Sequence, residues 1–259
     1  MKAPSEATLR LSAALAASVC IALTHAAAWG SGPVKEAKNP ARVMLEEASK
    51  KLGEYKPWTT RVEKGLQIAW DTEGWGTLKA DYTRSVKKPD KLKIDQDNSA
   101  YDHPFFRAYY CNGGDAWYMV NLNQGRSPQV AASLKSLLDR ADGIASYLAA
   151  SDTFFAVPRI GADSLLSGEG LRRAGCVIKG DTTLFDIDAK THLLRRRIES
   201  NGARTYILED YRKTQGRRVP FHVTVYDAGK KTNEFLWQTV KFDEKLDDAI
   251  FEEYRPPAQ

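Results

Sequence analysis

The chain has 259 residues, 42% of them hydrophobic, with 38 basic against 33 acidic side chains and a formal charge of +5. That is enough for one large or two small domains with a real core. A mild positive excess spread along the chain keeps a protein soluble and is no nucleic-acid footprint, so nucleic acid is excluded as a partner.

The first 28 residues read as a cleaved secretory signal. Lys2 and Arg10 form a basic n-region, Leu11 to Leu23 an apolar h-region, and Ala26-Ala27-Ala28 a small-residue cleavage site. The apolar stretch is too short for a comfortable membrane span, and no later one reaches roughly 18 residues. Val19 stands before Cys20 where a lipobox wants a small residue, so cleavage after Ala28 is read in preference to lipidation. The expected location is the periplasm.

Residues 29–38 form a loose linker, followed by a single domain over 39–257. Asn39-Pro40 starts a helix, asparagine as cap and proline at the first position. Met44, Leu45, Ala48 and Leu52 give it an apolar stripe, and Gly53 stops it. Strands follow. Leu66, Ile68 and Trp70 alternate with Gln67 and Ala69 up to the turn Asp71-Thr72-Glu73-Gly74. Leu78, Ala80 and Tyr82 alternate next, then Leu92 and Ile94 after the turn Pro89-Asp90. Phe105 to Cys111 and Ala116 to Leu122 flank Asn112-Gly113-Gly114-Asp115, a strong hairpin signal. A helical insertion is expected over 129–166: Val130, Leu134, Leu137, Leu138, Ala141, Ala145 and Leu148 keep helical spacing from Gln129 to Ala150, with Gly143 a weak point. Phe154-Phe155 and Leu165-Leu166 continue it irregularly.

From Cys176 to Phe242 short β-branched and aromatic runs alternate with turn signals: Cys176-Ile178, Leu184-Ile187, Leu193-Leu194, Tyr206-Leu208, Phe221-Val225 and Phe235-Trp237. The turns are Lys179-Gly180-Asp181, Asp188-Ala189-Lys190, Asn201-Gly202, Gln215-Gly216 and Asp227-Ala228-Gly229. This is an antiparallel meander. The expected class is mainly β (α+β): a curled antiparallel sheet of about ten strands, an incomplete barrel covered by helices. About ten strands at ~4.8 Å spacing and ~20–25 Å length make a face of roughly 1,000 Å². Helices about 20 and 33 Å long cover only about half of it. The sheet must therefore curl, bind a partner or enclose a cavity.

Three phrases carry a resemblance. Gly76-Thr77-Leu78-Lys79-Ala80-Asp81-Tyr82 with Lys88-Pro89-Asp90-Lys91-Leu92-Lys93-Ile94 is similar to the second and third strands of the LolA/LolB-like superfamily of periplasmic lipoprotein-sorting carriers. Asn112-Gly113-Gly114-Asp115-Ala116-Trp117-Tyr118 is similar to its next hairpin, and Leu246-Asp247-Asp248-Ala249-Ile250-Phe251 with Pro256-Pro257 to its closing phrase. Lys88 departs from the arginine usual before that proline. The resemblance implies an incomplete barrel whose apolar cavity takes lipid or lipoprotein acyl chains. It also implies a membrane-bound donor or acceptor protein as partner.

The residues expected to line such a cavity are Leu66, Ile68, Trp70, Leu78, Tyr82, Leu92, Ile94, Trp117, Met119, Phe221, Val223, Val225 and Trp237. Leu134, Leu137 and Leu138 would close it from a movable helical lid. The alternative is a periplasmic interaction or envelope-stress sensor module that docks a partner on the half-covered sheet. Lys87, Lys88, Lys91 and Lys93 read as a solvated strand face rather than a head-group site. Once the signal is removed two cysteines remain, Cys111 and Cys176. A disulfide between them and two separately buried thiols are equal readings. No enzyme is expected: there is no Gly-x-Ser-x-Gly elbow, P-loop or dinucleotide fingerprint, and His103, His192 and His222 lack metal spacing. No cofactor or metal is expected.

Overall fold

The computed structural model describes residues 38–70, 76–101, 106–121, 123–157, 170–199 and 202–252. The signal peptide, almost all of the linker, the turn at 71–74, His103, Phe105, Leu122, Leu165-Leu166, Asn201 and Pro256-Pro257 lie outside these residues.

Helix α1 (Pro40–Leu52) begins as the sequence dictates. The Asn39 side chain accepts from the amides of Ala41 and Arg42, Pro40 occupies the first turn, and Gly53 ends the helix in a left-handed conformation. Its face of Ala41, Leu45, Ala48 and Leu52 is buried. The first sheet half is β1 (Thr60–Ala69), β2 (Leu78–Lys87), β3 (Lys91–Asp97), β4 (Phe106–Asn112), β5 (Asp115–Val120) and a short β6 (Asn123–Gly125). Helices α2 (Pro128–Asp139) and α3 (Ile144–Ala150) intervene. The second half is β7 (Thr153–Val157), β8 (Leu171–Ile178), β9 (Asp181–Asp188), β10 (Leu194–Glu199), β11 (Arg204–Thr214), β12 (Arg217–Asp227) and β13 (Lys230–Phe242). A 3₁₀ turn, Asp248–Phe251, follows.

All the strands belong to one antiparallel sheet in the order β6-β5-β4-β3-β2-β1-β13-β12-β11-β10-β9-β8-β7. The chain walks from the centre to one edge, crosses through α2 and α3 to the other edge, and returns to seal β13 against β1. Three hairpins in the second half turn on two residues that both have positive φ: Lys179-Gly180, Gln215-Gly216 and Ala228-Gly229. That is the twist-matched hairpin geometry, and glycine in the second position removes its steric cost.

Two expectations need correction. Among the described residues the sheet has thirteen strands rather than about ten. The three-residue β6 is too short to carry an alternation, and Phe154-Phe155, read as irregular, form the edge strand β7 paired with β8. The continuous helix over Gln129–Ala150 is two helices. The chain breaks at Arg140–Gly143, where Gly143 takes φ +65.

The sheet is strongly curled. Helix α2 packs on β3–β5, with Leu134 in the core there, yet Arg140 at its C-terminal end bonds Glu199 on β10. β4 and β10 are seven strands apart in the sheet order, about 34 Å if the sheet were flat, whereas the six residues from Leu134 to Arg140 span only about 9 Å of helix. Two apolar cores fill the inner, helix-covered face. One joins α1 and α3 to β7–β10 around Leu45, Tyr147, Phe185 and Ile187. The other joins Trp58 and Leu134 of α2 to β2–β4, β12 and β13 around Tyr82, Leu92, Phe221 and Trp237.

Candidate functional site

Strand pairing fixes which side chains face inward. Gly65, Tyr82 and Trp237 are register partners across β1, β2 and β13, and Val86, Leu92 and Cys111 across β2, β3 and β4. Ten of the sixteen expected lining residues belong to this inner side. Tyr82, Leu92, Ile94, Phe221, Trp237 and the α2 residue Leu134 form one buried cluster, with Leu138 packed against it. Leu78, Val223 and Val225 share the parity of these inward positions.

Six fall elsewhere. Leu66 and Ile68 alternate to the outer face, and Trp70 follows them under the Lys231 ammonium, 4.1 Å from its ring. Period-2 alternation leaves the inward positions of β1 to Arg61, Glu63, Gly65, Gln67 and Ala69. Gly65 is there because the sheet bulges: a Cβ would lie 2.2 Å from the Leu236 carbonyl oxygen. Trp117 and Met119 also point outward, in a separate cluster with Ala108 and Tyr110. Leu137 lies on the solvent side of α2, 41% exposed, and closes nothing. The disulfide reading is corrected too. Cys111 and Cys176 are free, buried thiols in different cores.

Between the two cores the interior is polar, which the apolar alternation did not suggest. Glu63, 1% exposed, is bonded by the Arg61 and Arg84 guanidiniums at its two oxygens. Burial pushes the Glu63 carboxyl up, but the two guanidiniums outweigh it and hold it below the usual carboxylate range. Gln96 donates to Gln67 at 2.6 Å, and Gln67 donates to Asn233 at 2.8 Å, extending this polar line along β1. The other half has a matching arrangement. Buried Glu199 accepts from Tyr147 of α3 and from Arg140 Nη1 at 2.9 Å, with Arg197 Nε 3.0 Å away. Burial beside Glu199 pushes the Tyr147 hydroxyl far up. Arg197 also covers the Tyr206 ring at 4.2 Å.

Glu54 lies beside this belt. Its carboxyl accepts the amides of Ile144 (3.2 Å) and Ala145 (3.1 Å), capping α3, whose Gly143 offers no side chain. Desolvation raises its pKa to about 7, against the lowering effect of Ser49, the two amides and Arg61. The sequence signal for these groups was present in Arg61-Val62-Glu63, a charged pair at strand spacing, but the neighbouring leucine and isoleucine drew the inward assignment.

The lysines of the β2–β3 turn are engaged outside the interior. Lys87 and Lys91 reach Asp248 at 2.6 and 3.0 Å, and Lys93 reaches Asp95 at 3.2 Å. Lys88 bonds Asp142, at the α2–α3 break, at 2.6 and 2.8 Å. A surface groove of about 610 Å³ runs between α1 and α3, lined by Glu46, Ser49, Lys50, Tyr55, Ala145, Leu148 and Ala149. None of the sixteen expected residues borders it. Among the described residues, no three histidine, cysteine or acidic side chains come together to hold a metal ion.

No family model matches the chain, and no curated protein matches it. Solved structures do. A DUF1329 family protein from Desulfovibrio piger superposes with a TM-score of 0.57 at 13% identity, covering 83% of this chain and 98% of that one. A domain described as an outer membrane lipoprotein-sorting protein, from Vibrio parahaemolyticus, reaches 0.49 at 11% identity over 82% and 97%. A LolA superfamily protein from Nitrosomonas europaea reaches 0.48 at 13% identity over 82% and 97%. At 13% identity the first of these likenesses is one of fold alone, an antiparallel sheet with helices packed on it.

Proposed function

We propose that this chain is a secreted, periplasmic binding and carrier protein. It holds the acyl chain of a lipid or lipoprotein inside the curled sheet, without covalent chemistry, and α2 covers the entrance. The fold is compatible with many cargoes, so the reading rests on the interior and not on the architecture. One observation carries it. On β11–β13 the inward apolar side chains Leu208, Val223 and Phe235 keep partial exposure between the two helix-covered cores. An apolar wall left partly wet inside a concave sheet is a surface that an alkyl chain would dry. Each buried methylene contributes about 0.8 kcal/mol, so a chain of roughly a dozen carbons reaches micromolar binding without a specific polar contact. Pairing of the central strands leaves no open edge there for docking a partner, which disfavours the sensor reading.

The test is native mass spectrometry of protein purified gently from the periplasm, followed by organic extraction. A discrete extra mass removed by extraction and identified as lipid is the expected result. An empty protein that also fails to take up fluorescent fatty acid refutes the carrier reading.

A further inference from the structure

The charge inside the sheet does not balance. Glu63 is shared by Arg61 and Arg84, and Glu199 by Arg140 and Arg197. Each arrangement is two guanidiniums on one carboxylate, and the third carboxyl nearby, Glu54 beside Arg61, is only partly ionised at neutral pH because burial raises its pKa to about 7. Arg84 lies over the Trp237 ring, which stacks on Phe235, and Arg197 covers the ring of Tyr206, two residues from Leu208 on the same face of β11. Each pair of guanidiniums therefore borders the apolar wall of Leu208, Val223 and Phe235.

Donor bookkeeping points the same way. A guanidinium has five N–H groups, and Glu63 takes one bond from each of its arginines. Arg61 Nε is buried without a hydrogen-bond partner, and Arg197 Nε, though near Glu199, is not aligned for a bond with it. Burial of the side chains is incomplete: Arg61 and Arg197 keep 19% exposure and Arg84 26%. Uncompensated buried charge is costly unless an opposite charge arrives.

We infer that the interior takes an anionic amphiphile, its carboxylate or phosphate held by Arg84 and Arg61 and its alkyl tail laid along Val223 and Phe235. This rests on the carrier reading and names its ligand class. Guanidinium forks match both head groups, so the two sources share one chemistry. Glu63 is then the internal competitor for the arginines, occupying them while the site is empty.

The experiment compares delipidated protein with oleate, oleoyl lysophosphatidate and oleyl alcohol by calorimetry; the three share a tail and differ in head. Oleate or the lysophosphatidate should bind at least tenfold tighter than the alcohol, and whichever binds tighter identifies the head. Arg84→Gln should weaken the anionic ligands about tenfold or more and leave the alcohol unchanged. Should that variant fail to fold, Glu63→Gln decides. Its unliganded melting temperature should fall, while the stabilisation by the tighter anionic ligand grows beyond that of the native protein. Equal binding of all three ligands overturns head-group recognition and leaves the carrier reading intact. Binding of none overturns both.

Discussion

The two halves of the inner face are covered by helices in different ways. Under α1 and α3, nine of the thirteen core members are fully buried: Ala41, Leu45, Ala48, Ile144, Tyr147, Ala174, Cys176, Phe185 and Ile187. Under α2 Leu92 alone is fully buried, and Leu134 is the single buried residue of that helix. The α1 side is a closed core in which helix and sheet are one packing unit. The α2 side is a cover resting on a sheet. A protein that must load and release a ligand needs such an unequal division, because parts that open come from the low end of local stability.

The largest effect should come from the closed side. Phe185→Ala removes a ring packed edge-on against Tyr147 and should cost about 3–5 kcal/mol. Leu134→Ala should cost about 2 kcal/mol, since a loosely seated helix can settle into the space. Chemical denaturation of both variants checks this. Equal losses would mean that α2 is as firmly built in as α1 and would remove the distinction.

A sharper division lies within α2 itself. Leu134→Asp puts a charge into the buried contact with β3–β5 and should abolish lipid retention while circular dichroism still reports the sheet. Leu137→Asp, on the solvent side, should change retention by less than about twofold. Loss of retention in both would show that the whole helix, not its inward face, contacts cargo.

The difference between the halves was only partly legible in the sequence. Asn39-Pro40, Gly53 and the Gly113-Gly114 hairpin declared themselves through local backbone chemistry, which needs no tertiary information. The second meander was equally plain, since its X-Gly turns set strand length and register together. The inward side of β1 was not. Leu66 and Ile68 look like core residues by composition, but a strand's parity is set by its partners, here Gly65 opposite Tyr82 and Trp237. The polar interior follows from that parity, and so from pairing with β2 at short range and with β13 more than 150 residues away. Leu137 and Leu134 likewise share one apolar pattern, and only the docking angle of α2 separates them.

The closed side also has a pH dependence. Glu54 caps α3 from a desolvated position with a pKa near 7, above its ordinary 4.5. The folded state therefore binds this proton more tightly than the unfolded state. Its contribution is fully present below pH 4.5 and is lost as pH rises through about 7, a change of a few kcal/mol at most. Glu63, held low by its arginines, works in the opposite sense: its contribution is present above 4.5 and is lost as pH falls through its depressed pKa. Glu54→Gln should flatten the melting-temperature profile between pH 4.5 and 7 and leave the acid limb due to Glu63. An unchanged profile would assign the neutral-range slope to other groups.

The smallest effect should lie at the joint where the two halves meet. Lys88, at the β2–β3 turn, bonds Asp142 between α2 and α3, and its ammonium stands 4.2 Å over the Trp58 ring. Both charged side chains are about one-third exposed, so solvent screening limits the ion pair to roughly 0.5–1 kcal/mol. That is minor for stability, but the pair joins the turn of one sheet half to the break between the helices. If α2 swings on that break, cutting the pair should leave the melting temperature within about 2 °C and speed ligand exchange two- to fivefold. Asp142→Asn is the cleaner variant because it keeps the shape and leaves Lys88 its ring contact. Stopped-flow release of a fluorescent fatty acid reads the rate. Faster release at constant stability would place the hinge at Arg140–Gly143, whereas slower or unchanged release would move the opening to the other end of α2, at Ser127.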